Sequence, residues 1–211
     1  MKGKRGLGLN PYNHDFIVMI DEIPSCEKCE LISSRRKKIV KGFGDREANI
    51  FFIGLAPGRN GADITGVPFT RDPSGVLFQE AMIKAGFSLE TDPRVEKPKL
   101  KGVFVTNIVK CNPKDDSGNN RAPTIKEIQN CISYLNKEIE IIQPKIIVLF
   151  GKIVTESILN RKVSRFKEVH NIPISMEGRD WIPFYHPSYV IRGSYNRQKY
   201  VAEICELAHL I

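Results

Sequence analysis

Short apolar runs alternate with longer segments in which apolar residues recur at helical spacing along this 211-residue chain. The short runs are rich in β-branched and aromatic residues, which is typical of buried strands. They predict strands at Asn49–Leu55, Val103–Val109, Lys145–Phe150 and Trp181–Tyr185. The periodic segments predict helices, the clearest of them at Ser74–Ala85, from Thr124 to Ile142 and at Ser194–Leu210.

Strands that alternate with helices predict a mainly parallel sheet covered on both faces. A length of 211 residues fits one domain of this kind. We therefore expect an α/β fold, with residues 1–211 forming a single-domain three-layer αβα sandwich around a central, mainly parallel four-stranded sheet.

The longest predicted helix begins at Thr124, where Glu127 three residues later completes a capping box. Its apolar stripe consists of Ile125, Ile128, Ile132, Leu135, Ile139 and Ile142. Cys131 borders this stripe, so from the pattern alone it is either a core residue or a ligand.

A glycine-rich loop follows the first predicted strand. Its turn-forming residues are Gly54, Gly58, Gly61, Gly66 and Gly75, with Pro57, Pro68 and Pro73. Glycines let a ligand lie against the main chain, and α/β folds place ligands at the carboxyl ends of strands. The loop also contains a carboxylate, Asp63, and a large ring, Phe69. We interpret it as a pocket wall, the alternative being an ordinary surface connection.

The loops over residues 56–73, 107–123 and 186–193 all leave carboxyl ends of predicted strands. In a parallel sheet these ends lie at one edge, so we expect the three loops to form a single rim.

A net charge of +8 and a pI near 9.3 favour a polyanionic partner, most commonly nucleic acid, over a generic basic surface. No apolar run approaches the length of a membrane span. The basic start of the chain has no hydrophobic region behind it, which argues against a secretory signal. We therefore expect a cytoplasmic protein with no membrane partner.

An odd number of cysteines, five, argues against a disulfide framework. Cys26 and Cys29 form a C-x2-C pair, whereas Cys111 and Cys131 lie on separate segments. A zinc ribbon usually brings a second close pair, and a split pair is more typical of an iron–sulfur site. Cys205 lies among apolar helix residues and is assigned to the core.

Five motifs occur in a characteristic order. They are GLAPG at 54–58, GVPFT at 66–70, TNIVKCNP at 106–113, EIQNC at 127–131 and HPS at 186–188. With them the chain resembles the iron–sulfur uracil-DNA glycosylases of families four and five. Leu55 and the GADITG loop are similar to family five, whereas Asn107 and the YVIR segment after HPS are similar to family four.

The resemblance implies a 4Fe-4S cluster held by Cys26, Cys29, Cys111 and Cys131, which would tie the N-terminal segment to the domain. It also implies a monofunctional DNA glycosylase, a hydrolase of N-glycosyl bonds that flips out and excises uracil and so starts base excision repair. A broader glycosylase for hypoxanthine and xanthine as well as uracil is one alternative, and an inactive iron–sulfur DNA-binding module is another. We expect a monomer that acts on DNA containing uracil or another deaminated base, with a replication sliding clamp as a candidate partner.

The same resemblance assigns roles in the site. His186 is expected to donate to uracil O2 as negative charge develops, and Asp63 to handle the attacking water, with Asp72 as a rival acid. Phe69 is expected to stack on the base and Asn107 to pair with its N3–H and O4. The full substrate-binding set is Gly54, Leu55, Ala56, Pro57, Gly58, Phe69, Asn107 and Ser188. The expected DNA contacts are Tyr189, Ile191 and Arg192.

Overall fold

The computed structural model describes residues 25–210, and its centre is a six-stranded sheet. The strands are Phe43–Gly44 (β1), Ile50–Gly54 (β2), Val103–Asn107 (β3), Ile146–Phe150 (β4), Ile174–Met176 (β5) and Arg179–Phe184 (β6). Their order across the sheet is β1-β3-β2-β4-β6-β5. The inner strands β3, β2, β4 and β6 run parallel, whereas β1 and β5 pair antiparallel at the two edges.

The predicted count of four strands is therefore wrong, although the mixed α/β class is confirmed. The two edge strands contain two and three residues. Segments this short carry no readable apolar period, which explains why the sequence pattern did not predict them.

Seven α-helices occur within residues 25–210. They are Glu30–Arg35 (α1), Ala62–Thr65 (α2), Pro73–Lys84 (α3), Ile125–Ile142 (α4), Lys152–Leu159 (α5), Pro187–Ile191 (α6) and Arg197–Leu207 (α7). Short 3-10 helices lie at Phe166–Glu168 and Ala208–Leu210. The predicted closing helix is shorter than expected at its start, because Asn196 caps it by accepting a hydrogen bond from Lys199 N at 2.9 Å.

Helices cover both faces of the sheet. Successive strand residues point to opposite faces, so Phe52 and Val148 pack with α3 and α7, whereas Phe51 and Leu149 pack with α4. Every residue of β2, β3 and β4 is buried. The result is two apolar cores separated by the sheet.

The capping box predicted at Thr124 and Glu127 is confirmed at the start of α4. Leu135 in its predicted stripe is fully buried, but Ile125 is 77% exposed. At about 100° per residue Ile125 falls at the edge of the stripe, and it is also the first residue of the helix, so it does not reach the sheet.

No helix in the described part of the chain combines the length and the apolar character needed to cross a membrane.

Candidate active site

A cavity of about 600 Å³ opens at the carboxyl ends of the parallel strands. The three loops expected at this rim all contribute to it, together with the turn after β4. The predicted site residues that line it are Leu55, Ala56, Pro57, Gly58, Phe69, Asn107, His186, Ser188 and Arg192.

Gly54, the last residue of β2, lies beneath this cavity. A Cβ at this position would meet Asn107 Oδ1 and would come within 2.6 Å of Phe69 Cζ. Glycine at this position therefore lets the amide of Asn107 and the ring of Phe69 approach each other closely.

The ring of Phe69 is held by an unusual backbone conformation. Its φ is +54°, in the left-handed region that non-glycine residues adopt at a cost of about 1 kcal/mol or more. Gln79 Nε2 donates to Phe69 O at 3.1 Å, and the ring packs against Phe78 and Phe150 at centroid distances of 4.8 and 5.2 Å. The loop is therefore fixed with the ring at the cavity wall.

His186 follows β6 and caps helix α6. Its Nδ1 accepts from Ser188 N at 3.1 Å and lies 2.9 Å from Ser188 Oγ. Burial first, and the positive charge of Arg192 second, lower the pKa of His186 to about 4. A backbone N–H can only donate, so Nδ1 carries no proton, and the neutral ring presents Nε2–H as its donor.

Asp63 does not line the cavity, contrary to the role expected for it. It is fully buried, and its carboxylate accepts from Lys37 N at 3.0 Å, Lys38 N at 3.3 Å and Lys114 Nζ at 2.8 Å. Lys114 Nζ also donates to Arg35 O at 2.8 Å. Asp63 thus joins the glycine-rich loop to the end of α1 and to the residues that follow it.

Asp72 is the carboxylate that does line the cavity. It caps α3 by accepting from Gly75 N at 2.8 Å. Burial raises its pKa, and hydrogen bonds from the backbone of Gly75 and Ser74 partly oppose that rise. A carboxylate with a raised pKa is a better proton acceptor than an ordinary one.

Sequence reasoning missed the cavity residues on two loops. Asn112 is fully buried, and its Nδ2 donates to Asn120 Oδ1 at 2.8 Å and to Pro57 O. Lys152 and Ile153 line the opposite wall, where α5 begins. Lys152 and Ile153 could have been predicted from the sequence. Gly151 directly follows a parallel strand, and this position marks the same ligand-binding edge as the other loops.

The expected DNA-contact residues lie beside the cavity on α6. Tyr189 and Ile191 are 36% and 43% exposed, and neither lines the cavity. The Tyr189 ring stacks on Tyr185 with centroids 4.8 Å apart. Arg192, at the end of the helix, does line the cavity.

Four of the five cysteines line a separate cleft. Cys26, Cys29, Cys111 and Cys131 all line it, whereas Cys205 packs against the sheet and α-helical core. Among residues 25–210, no three histidine, cysteine, aspartate or glutamate side chains lie close enough to hold a single metal ion. Four thiols around one cleft form a donor set of the kind that holds an iron–sulfur cluster.

Hydrogen-bond donors surround the sulfur atoms of this cleft. Asn130 Nδ2 lies 3.4 Å from Cys29 Sγ, and Lys110 N donates to Cys131 Sγ at 3.3 Å. Arg36 Nη1 approaches Cys111 Sγ at 4.0 Å. Such donors stabilise thiolates that carry negative charge, as the ligands of a metal cluster do.

Comparison with known proteins adds an independent observation. The sequence model of the uracil DNA glycosylase superfamily matches residues 41–208. The chain is 31% identical over 199 residues to the type-4 uracil-DNA glycosylase of Archaeoglobus fulgidus, and the match covers 91% of each chain. It is 36% identical over 179 residues to the type-4 uracil-DNA glycosylase of Sulfurisphaera tokodaii, covering 80% of this chain and 72% of that relative. It is 29% identical over 192 residues to the type-5 uracil-DNA glycosylase of Pyrobaculum aerophilum, covering 80% of each.

Proposed function

The chain belongs to the uracil DNA glycosylase superfamily, and on that premise we propose that it is a monofunctional DNA glycosylase that excises uracil from DNA by hydrolysis. The observation that carries this function is one cavity lined by the ring of Phe69, the amide of Asn107 and the imidazole of His186. Residues 1–211 would then form one glycosylase domain.

Recognition of uracil rests on two side chains that meet above Gly54. Once the nucleotide is flipped out of the duplex, Phe69 stacks on the base. The Asn107 carbonyl accepts from N3–H and its amide donates to O4. Cytosine presents an acceptor and a donor in the reverse positions, so one fixed amide rejects it.

Cleavage breaks the bond between C1′ of the sugar and N1 of the base, and the electron pair leaves with the uracil. His186 Nε2–H donates to O2 as negative charge develops there. A water molecule attacks C1′ and its proton passes to the carboxylate of Asp72. The products are free uracil and an abasic site, and no bond to the enzyme forms.

The donor set of the cysteine cleft fits a 4Fe-4S cluster, held by Cys26, Cys29, Cys111 and Cys131. When bound, the cluster supplies iron–thiolate bonds that join the N-terminal segment to the loop after β3 and to α4. Its proposed role is structural.

Contacts to DNA are assigned to the exposed face of α6. Tyr189 and Ile191, whose side chains are partly exposed, would occupy the gap left by the flipped base. Arg192, which lines the cavity, would contact phosphate. A net charge of +8 supplies the attraction to the DNA backbone that offsets the cost of unstacking, on the order of a few kcal/mol.

A broader range that includes hypoxanthine and xanthine is the second candidate function. Similarity to a type-5 relative favours it. Leu55 at the cavity wall also favours it. Its side chain has no hydrogen-bonding group, so that backbone groups would recognise the base at this wall.

The test uses uracil release from a DNA duplex by the wild-type protein and three variants. Asp72→Asn and His186→Ala are each expected to lower the single-turnover rate about 100-fold or more, because each removes a group at the reacting atoms. Asp63→Asn is the matched control, because it changes a buried carboxylate that does not face the cavity. It should lower the melting temperature and leave the rate within a few-fold.

No uracil release by the wild-type protein would contradict the proposed function. Release by wild type together with an equal loss in Asp63→Asn and Asp72→Asn would instead overturn the assignment of the acid alone.

A further inference from the structure

Lys110 is a lysine buried in the interior behind the cavity, with 1% of its side chain exposed. Its ammonium donates to Thr106 Oγ1 at 2.6 Å, to Asn107 O at 2.8 Å and to Glu138 Oε2 at 2.7 Å. These three bonds use all of its donors. Burial of a charge is costly unless it is fully paired, and all three partners of this ammonium are present.

Glu138, the partner of Lys110, is fully buried and equally satisfied. It accepts from Thr106 Oγ1 at 2.8 Å and from Gly42 N at 3.0 Å, in addition to the ammonium. A polar network with every member paired is rigid, because moving one member leaves another without a partner.

The peptide unit that follows Asn107 is held at both of its polar atoms. Its N–H, that of Ile108, donates to Gly54 O at 2.9 Å on the neighbouring strand. Its carbonyl, Asn107 O, accepts from Lys110 Nζ. Fixing this peptide plane fixes the direction in which the Asn107 side chain leaves the backbone.

Lys110 also contacts the cysteine cleft through its backbone, because its N–H donates to Cys131 Sγ. Cys131 and Glu138 both lie on α4, seven residues or two helical turns apart. Helix α4 therefore holds Lys110 at two points, one at the cleft and one beneath the base-reading amide.

We propose that Lys110 is a positioning residue that sets the orientation of Asn107 and links it to the four-cysteine cleft. This inference rests on the proposed function, in which Asn107 reads the uracil edge. Loss of the ammonium leaves this peptide held only through the N–H of Ile108, so that the Asn107 amide meets N3–H and O4 in only a fraction of encounters.

The test is a double-mutant cycle in which Lys110→Met is always made together with Glu138→Gln. Removing both charges together leaves neither a buried ammonium nor a buried carboxylate unpaired. This paired replacement, Asn107→Ala and the two combined are compared with the wild type, and Met keeps most of the lysine stem volume. Single-turnover uracil release is measured at a temperature where circular dichroism shows all four proteins folded.

Lys110→Met is expected to lower the rate about tenfold or more when Asn107 is present. In the Asn107→Ala background the same change should lower it by less than about twofold, because nothing remains to be positioned. If Lys110→Met does not fold, Thr106→Val carries the same cycle, since it removes one hydrogen-bond partner of the ammonium at constant shape. Thr106→Val is expected to lower the rate about threefold when Asn107 is present, and this loss should be absent in the Asn107→Ala background.

Equal losses in the two backgrounds would overturn the positioning role and leave the proposed function standing. An Asn107→Ala variant that releases uracil as fast as its reference would also overturn it. Absence of uracil release from the wild-type protein is a different result, because it removes the proposed function itself and the inference with it.

Discussion

At the scale of single residues, the imidazole of His186 is the group whose state is set most strongly by its surroundings. Its pKa of about 4, lowered by burial and by Arg192, keeps the ring neutral throughout the physiological range. The hydrogen bond from Ser188 N to Nδ1 fixes the tautomer. In the proposed mechanism a neutral Nε2–H donor therefore faces the departing base.

The same shift makes a prediction about stability. In the unfolded chain His186 has its ordinary pKa of 6.5. Between this pH and about pH 4 the unfolded state therefore binds a proton that the folded state does not bind. The free energy of unfolding therefore has its full value above pH 6.5 and decreases as the pH falls toward 4. From about pH 7.5 to about pH 4.5 the wild type should lose about 2 to 3 kcal/mol more than His186→Gln.

Urea unfolding at a series of pH values measures this difference. Subtracting the His186→Gln profile removes the contribution of His170, whose pKa is also lowered by burial. Parallel profiles for the two proteins would contradict a neutral His186 in the folded protein.

Asp63 and Asp72 show what residue patterns can and cannot reveal. Both lie in one glycine-rich loop, and the sequence correctly indicates that this loop lines a cavity. Which carboxylate faces the cavity depends on Lys37, Lys38 and Lys114, which come from distant segments and bury Asp63. Contacts of this range leave no local signal.

At the scale of secondary structure, α4 is the element that links the cysteine cleft, the buried network of Lys110 and a loop of the cavity. It carries Cys131 of the cleft and Glu138 of the buried network. Its N-terminal capping box also joins it to the cavity loop, because Glu127 pairs with Arg121 at 2.6 and 2.8 Å.

Thr124→Ala removes half of that capping box and is expected to lower the free energy of unfolding by about 1 kcal/mol. The rate of uracil release should not change, because Lys110 contacts later turns of the helix. Chemical denaturation measures the first quantity and single-turnover release the second. Thr91→Ala, at an exposed position in a loop, is the matched control and should stay within about 0.5 kcal/mol of wild type. A fall in rate as large as the fall in stability would show that the cap is needed for catalysis.

Element prediction succeeded where apolar periodicity runs over several residues, as in the inner strands and in α3 and α4. It failed for β1, β5, α1, α2 and α6, each of which contains six residues or fewer. These short elements are stabilised by the neighbours they pack against, so their own residues carry little pattern.

At the scale of the whole molecule, the parallel arrangement of the inner strands brings three predicted loops to one cavity. That convergence was predictable because topology alone dictates it. The resemblance to the iron–sulfur glycosylases likewise indicated which four cysteines would meet, and they line one cleft. The buried network of Lys110 was not predictable, since a lysine beside a cysteine motif usually indicates a solvated charge.

The central claim is that this cavity excises uracil by reading its edge with Asn107. Its most direct test is single-turnover base release from one duplex that carries uracil, hypoxanthine or cytosine at the same position. We expect release of uracil and no release of cytosine, with hypoxanthine released only if the wider substrate range applies. Retention of uracil, or release of cytosine as fast as uracil, would contradict the claim.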